Sequence, residues 1–213
     1  MMRGYFITFE GTEGSGKSTQ IEVLARHLIR HGHKVVTTRE PGGTAFGEQI
    51  RRVLLSVKNR RLDPRAELFL YLASRTQHLE EVILPALKKG KIVLCDRFSD
   101  ATVAYQGFGR QLDMKVVRTA VGYAAKGLSP DLTLLLDLDV RLGLARVKDR
   151  GRSNRLDREQ REFHQRVRLG YRRLARSEPG RIKIVEASRS PQDVAREIKK
   201  IVDRSLAGRG IGK

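Results

Sequence analysis

The segment Gly11-Thr12-Glu13-Gly14-Ser15-Gly16-Lys17-Ser18 matches G-x-x-x-x-G-K-[ST] in full, a spacing suited to holding a polyphosphate. Glycines 11, 14 and 16 let the backbone curl until its N–H groups point inward at phosphate oxygens. Lys17 adds a point charge for the outer phosphates, the Ser18 hydroxyl is placed to ligate Mg2+, and the helix expected to start here adds its positive end. The context agrees, with the apolar run YFITFE (5–10) before the loop and a helical pattern after it. An ordinary glycine-rich turn, the bland alternative, does not account for that context. Such a P-loop also calls for a carboxylate at the end of a neighbouring strand, within reach of the Mg2+ shell. Asp96, closing KIVLCD (91–96), is preferred over Asp137 and Asp139 in LLLDLD, because Arg97 brings a cation to the same strand end.

These groups must be positioned by a sheet. Short apolar runs at 5–10, 34–38, 91–96, 132–138 and 181–187 alternate with helical patterns at about 18–31, 46–57, 64–88, 113–126, 140–150, 158–177 and 191–206. That alternation predicts βα units around a mainly parallel sheet, an α/β fold in one unit spanning 1–213. Ser190-Pro191 reads as an N-cap followed by proline at the first helical position. The single cysteine, Cys95, excludes an internal disulfide and a cysteine metal cluster. No apolar run approaches the roughly 18 residues of a membrane helix, and the N-terminus lacks a signal-peptide pattern, so no membrane partner and cytoplasmic residence are expected. Lys and Arg number 43 against 24 Asp and Glu, a formal charge of +19. Charge of that size favours polyanions without choosing between a nucleic acid and a nucleotide.

Three further stretches supply a second anionic pocket. TREPGGT (38–44) follows the second strand, LYLASR (70–75) places Tyr71 and Arg75 on one helical face, and CDRFSDATVAYQGFGR (95–110) begins at a strand end. Taken with the P-loop, these stretches resemble bacterial thymidylate kinase, from Phe9 to the last helix; TREPGGT and DRF…AYQG are far more specific than the P-loop itself. The resemblance implies a P-loop NMP-kinase-like five-stranded parallel sheet flanked by helices, with a small lid, usually as a homodimer. It also implies transfer of the γ-phosphoryl of MgATP to dTMP, giving dTDP and ADP.

The resemblance further implies roles for individual residues. Tyr71 matches a base-stacking aromatic, although core packing is its bland alternative. Arg75 is suited to donate to thymine O4, and Gln106 to donate to O4 and accept from N3–H. Thr102 matches a nearby hydroxyl, and Tyr105 the aromatic against the deoxyribose. Arg97, Arg39 and Arg51 match ligands of the acceptor phosphate, where guanidinium forks suit phosphate oxygens; Arg52 beside Arg51 is equally available. Glu13 stands where the family sets an acidic residue between the nucleotides, either to organise Arg39 or to approach the sugar 3′-hydroxyl. Some thymidylate kinases carry an arginine inside the P-loop, where this chain has Gly14. The other subtype places arginines in a lid, which KDRGRSNRLDRE (148–159) resembles, with Arg150 and Arg155 favoured as ligands of the transferring phosphoryl over Arg152 and Arg158. Ala101 stands where many relatives have serine.

No general base is required, because the attacking phosphate oxygen is ionised near neutral pH; alignment and charge neutralisation are the whole task. The alternatives are a broader pyrimidine NMP kinase taking dTMP and dUMP, a P-loop nucleic-acid-binding ATPase, and a P-loop scaffold without catalysis. The acceptor-pocket residues and the lack of a separate binding domain weigh against the ATPase, so no obligate nucleic acid is expected, and the presence of Lys17, Ser18, Asp96 and Arg97 weighs against the scaffold.

Overall fold

In the computed structural model, which describes residues 4–149, 151 and 153–209, the five apolar runs form five strands. They are β1 (Tyr5–Glu10), β2 (Val35–Arg39), β3 (Ile92–Asp96), β4 (Leu132–Asp137) and β5 (Ile182–Glu186). Their order is β2-β3-β1-β4-β5 and every pairing is parallel. β1 and β4 are buried at every residue, as strands covered on both faces must be.

Helices supply the cover. One face is packed by α1 (Lys17–Arg30) and α9 (Pro191–Ala207), whose Leu24, Leu28, Ile198 and Val202 join Ile7, Phe9, Leu134 and Leu136 of the sheet. Between β2 and β3 lie α2 (Ala45–Leu55), α3 (Pro64–His78) and α4 (Leu84–Lys88). The short α5 (Ser99–Thr102) and α6 (Met114–Ala124) link β3 to β4, and α7 (Val140–Asp149) and α8 (Arg161–Ser177) link β4 to β5. A second core joins Leu72, Tyr105, Val117, Val167 and Tyr171 to Leu135. Ser190 caps α9 by accepting from Asp193 N at 3.2 Å, with Pro191 next, as its sequence indicates.

Register positions the site. Asp96 on β3 is level with Phe9 on β1 and Arg39 on β2, so the P-loop, the loop after β2 and Arg97 all leave the same carboxyl edge of the sheet.

Three local differences from the sequence reading have physical causes. The helix expected over 64–88 widens into a π-helical turn at Leu79–Ile83 before α4; Pro85 has no N–H for the preceding turn and its ring crowds that turn's carbonyl. After β3 the chain is helical rather than irregular, with α5 running into a π-helical segment at Val103–Gly109, where two glycines obscure the helical pattern. The helix expected from 158 begins at Arg161. No described helix is long and apolar enough to cross a membrane.

Candidate active site

A cavity of about 550 Å3 opens at the carboxyl edge, walled by the P-loop, the loop after β2, α3, the β3 end and the π-helical segment. At its phosphate end Lys17 is buried, and its ammonium donates to Gly11 O and Thr12 O, each at 3.1 Å, and to Ser15 Oγ at 3.3 Å. Burial, together with the nearby Arg97 charge, brings the Lys17 pKa down to about 8. A polyphosphate restores the charge and competes for the same N–H groups. The Ser18 hydroxyl lies 3.5 Å from Asp96 Oδ2. The other oxygen, Asp96 Oδ1, is buried with no hydrogen-bond partner among the described residues. Asp137, by contrast, is held by the Arg168 fork at 2.7 and 3.0 Å, and Asp139 accepts from Arg141 N at the start of α7. Of the three aspartates, Asp96 is the one that lies beside Ser18 and lines the cavity.

Gly14 has φ +72°, and a Cβ there would lie 2.3 Å from the carbonyl oxygen of Gly143 on α7. The P-loop backbone and α7 touch directly, so no side chain fits at position 14.

Arg97 stands at the middle of the cavity in the left-handed backbone region, φ 71°. Its guanidinium donates to Glu13 Oε1 at 3.2 Å and to Tyr171 Oη at 3.1 Å, and lies 4.7 Å above the centre of the Tyr105 ring. Tyr105 Oη also donates to Glu13 Oε1, at 2.5 Å. His164 Nδ1 sits 3.1 Å from Glu13 Oε2. Burial alone would raise the Glu13 carboxyl, but the His164 hydrogen bond and the Arg97 charge outweigh it and hold the pKa at about 2. Glu13 thus organises Arg97, not Arg39. Arg39 is half exposed and forks onto Glu48 at 3.0 and 3.1 Å while still lining the cavity. Arg51 donates to Pro41 O at 2.8 Å and lines the cavity, whereas Arg52 is exposed and does not.

At the far end Arg75, 1 % exposed, donates through Nε to Glu40 Oε2 at 2.7 Å and through Nη2 to Phe98 O and Thr102 Oγ1, both at 2.9 Å. Its Nη1 is buried and has no partner among the described residues. Tyr71 packs one side against the second core and still lines the cavity with Ala101, Thr102, Tyr105 and Gln106, so packing and cavity lining coexist there. Gln106 donates through Nε2 to Glu67 Oε1 at 2.8 Å.

The lid arginines depart from expectation. Arg150, like Arg152, lies outside the described residues. Arg155 is 5 % exposed and is not among the residues lining the cavity; its Nη2 donates to Glu67 Oε2 at 2.6 Å and its Nε to Leu54 O at 2.8 Å. A guanidinium so buried and paired is not presented to a transferring phosphoryl. Arg158 is exposed against Ser153. Asn154, Leu156 and Asp157, which the sequence did not single out, line the cavity instead. Also missed were His164, Tyr171, Glu67 and Arg110. The available signal was a glutamate inside the apolar run AELFLYLA, where a charge is buried only with partners.

The family model for thymidylate kinase matches residues 9–198. The chain is 52% identical over 214 residues to the thymidylate kinase of Desulfovibrio desulfuricans, covering 97% of this chain and 99% of that one. It is 54% identical over 208 residues to the thymidylate kinase of Trichlorobacter lovleyi, covering 95% and 98%. The crystal structure of thymidylate kinase from Ehrlichia chaffeensis superposes with a TM-score of 0.76 at 35% identity, covering 94% of this chain and 99% of that one.

Behind Arg97, Glu10 at the end of β1 accepts from Phe98 N at 2.8 Å and Tyr171 Oη at 2.7 Å. Burial, helped by the Asp100 charge, pushes its carboxyl from 4.5 up to about 8. Between those values the native state holds a proton that the unfolded chain releases, so stability falls as pH rises through the window. Urea unfolding at pH 5.5 and pH 8 checks this: the Glu10→Gln variant is expected to lose less stability between the two than the parent. Equal losses would show that Glu10 is ionised throughout.

Proposed function

Because the chain belongs to the thymidylate kinase family and transfers the γ-phosphoryl of ATP to dTMP, giving dTDP and ADP, we propose that the two nucleotides meet head to head across Arg97. The observation that carries this arrangement is that one cavity joins the P-loop to a pocket flanked by Tyr71, Arg75 and Gln106, with Arg97 between them. In this reading Gly11 to Ser18 cradle the ATP phosphates, and Lys17 and Arg97 neutralise the charge that crosses between the nucleotides. Arg39, Arg51 and Arg97 hold the dTMP phosphate. Tyr71 stacks on thymine, Tyr105 lies against the sugar, and Arg75 and Thr102 meet O4. Segment 148–159 acts as the lid over ATP and Arg150 as its phosphoryl ligand. We place the enzyme in the cytoplasm, with no nucleic-acid partner needed for turnover.

Turnover measured by ADP release across dTMP, dUMP, UMP, CMP and AMP tests the acceptor. dTMP is expected to be fastest and dUMP lower by a modest factor, since one methyl group in an apolar pocket contributes about 1–3 kcal/mol. Fastest turnover with CMP or AMP would overturn the thymine reading.

Ser18 Oγ and the buried Asp96 Oδ1, without a partner among the described residues, are oxygen donors of the kind Mg2+ takes. Those two oxygens would hold the ion, which would supply positive charge against the ATP phosphates. Calorimetric titration with ATP, with and without Mg2+, separates the role of Asp96 from folding: in Asp96→Asn the Mg2+-dependent gain in ATP affinity is expected to fall about tenfold, and an unchanged gain would remove Asp96 from the metal site.

A homodimer is supported by a layer of neighbouring helices, α2, α3 and α6, which expose Phe46, Val53, Phe69, Val116 and Tyr123. The seven-residue spacing within α2 and within α6 puts each pair on one helical face. Sedimentation is expected to give twice the 24.1 kDa chain mass, and Phe69→Glu to shift the protein toward the single chain. A parent that sediments as one chain at micromolar concentration would rule out the dimer.

A further inference from the structure

We propose that Glu67, outside the cavity lining, sets the choice of pyrimidine by locking the side-chain amide of Gln106 in one orientation. This rests on the reading of the Tyr71–Arg75–Gln106 end as the base pocket.

Glu67 on α3 is fully buried. Its carboxylate accepts from Arg110 Nε at 3.1 Å and Nη2 at 3.0 Å, from Arg155 Nη2 at 2.6 Å and from Gln106 Nε2 at 2.8 Å. Burial opposes its charge, but Arg110, Gln106 and Arg155 together hold the carboxyl below its ordinary value. An ionised carboxylate only accepts hydrogen bonds. The amide must therefore turn its NH2 toward Glu67, on the wall side, and keep its carbonyl oxygen for the cavity that Gln106 lines.

A fixed acceptor is half of a pattern, and Arg75 completes it. The buried Nη1 of Arg75, without a partner among the described residues, is a donor that cannot be reversed. Thymine and uracil present a donor at N3 and an acceptor at O4, which complements the pair. Cytosine presents an acceptor at N3 and an amino donor at C4, and so opposes both. A glutamine free to rotate would offer N3 either a donor or an acceptor. The lock makes Gln106 discriminating, and buried polar groups left unmatched are what reject a near-isosteric ligand strongly.

Glu67→Gln tests the lock, since a neutral amide can donate or accept and no longer dictates how Gln106 turns. The ratio of kcat/KM for dTMP over dCMP is expected to fall about tenfold or more, with dCMP affinity rising in calorimetry without ATP. A folded variant with the parent ratio overturns the proposal. Because the change leaves Arg155 buried without its carboxylate, the charge-balanced pair Glu67→Gln with Arg155→Met is measured beside it, with the same two outcomes. The unsubstituted protein supplies an independent reading by NMR of the Gln106 side-chain NH2. One Nε2 hydrogen is expected to stay protected from exchange and without contact to the base when dTMP binds; transfer of that contact to the nucleotide overturns the lock. If the unsubstituted protein phosphorylates dCMP faster than dTMP, the base-pocket reading itself has failed, which is a different result from an unchanged ratio in the variants.

Discussion

Two phosphate-bearing nucleotides repel one another, so the cation between them has to be in place before they arrive. In the proposed arrangement Arg97 is that cation, and the structure holds it at both backbone and side chain. A non-glycine residue in the left-handed region costs on the order of 1–3 kcal/mol and persists only where its surroundings fix it. Here Arg97 N donates to Phe9 O at 3.0 Å, the next amide, Phe98 N, donates to Glu10, and Cys95 Sγ donates to Arg97 O at 3.0 Å. The turn is thus tied to β1 on both sides. Glu13, Tyr171 and the Tyr105 ring then aim the guanidinium, so little conformational entropy remains to be lost when phosphate binds.

The close approach of Gly14 to Gly143 has a consequence for where positive charge can stand. With backbone against backbone at that point, the P-loop cannot carry an arginine after Glu13. Arg146 on the same helix is directed at the loop, donating to Gly14 O and Ala187 O at 3.3 Å each. It thereby ties the P-loop at Gly14 to the chain after β5 rather than entering the cavity, whose described lining does not include it. Further cations for the junction must come from other elements, as Arg97, Arg39 and Arg51 in the cavity lining do.

Much of this architecture was legible in the sequence, for a definable reason. Strands buried on both faces read as unbroken apolar runs, and the P-loop has a spacing that only one local conformation serves. Asp96 and Arg97 were legible because they end such a run together. The π-helical segment at Val103–Gly109 was not, since its glycines and wider turn break the 3.6-residue period. The partners of Glu13 were not legible either: His164 is 151 residues away, and no local pattern records a contact closed by the second core. Arg155 shows the same limit in reverse. A basic run reads as a solvated lid, but one of its guanidinium groups is drawn into the protein by Glu67, a carboxylate that the apolar pattern of α3 concealed.

That concealed carboxylate belongs to a wider arrangement. In a chain with a formal charge of +19, four glutamates surround the cavity, Glu13 and Glu40 in its lining and the buried Glu10 and Glu67 behind it. Glu10 holds Tyr171 and the turn at Phe98, Glu13 holds Arg97, Glu40 holds Arg75 and His78, and Glu67 holds Arg110, Arg155 and Gln106. A guanidinium has five donors in a rigid fork, and a carboxylate that engages one side of it dictates where the other side points. Arg75 is an example, with its Nε on Glu40 Oε2 and its Nη2 on Phe98 O and Thr102 Oγ1. Removing one partner from such a buried pair costs roughly 3–5 kcal/mol, because the other charge is stranded. The aim of each arginine is therefore coupled to the stability of the fold. An arginine-lined cavity keeps its geometry because Glu13 and Glu40 hold Arg97 and Arg75 while Glu67 holds Gln106.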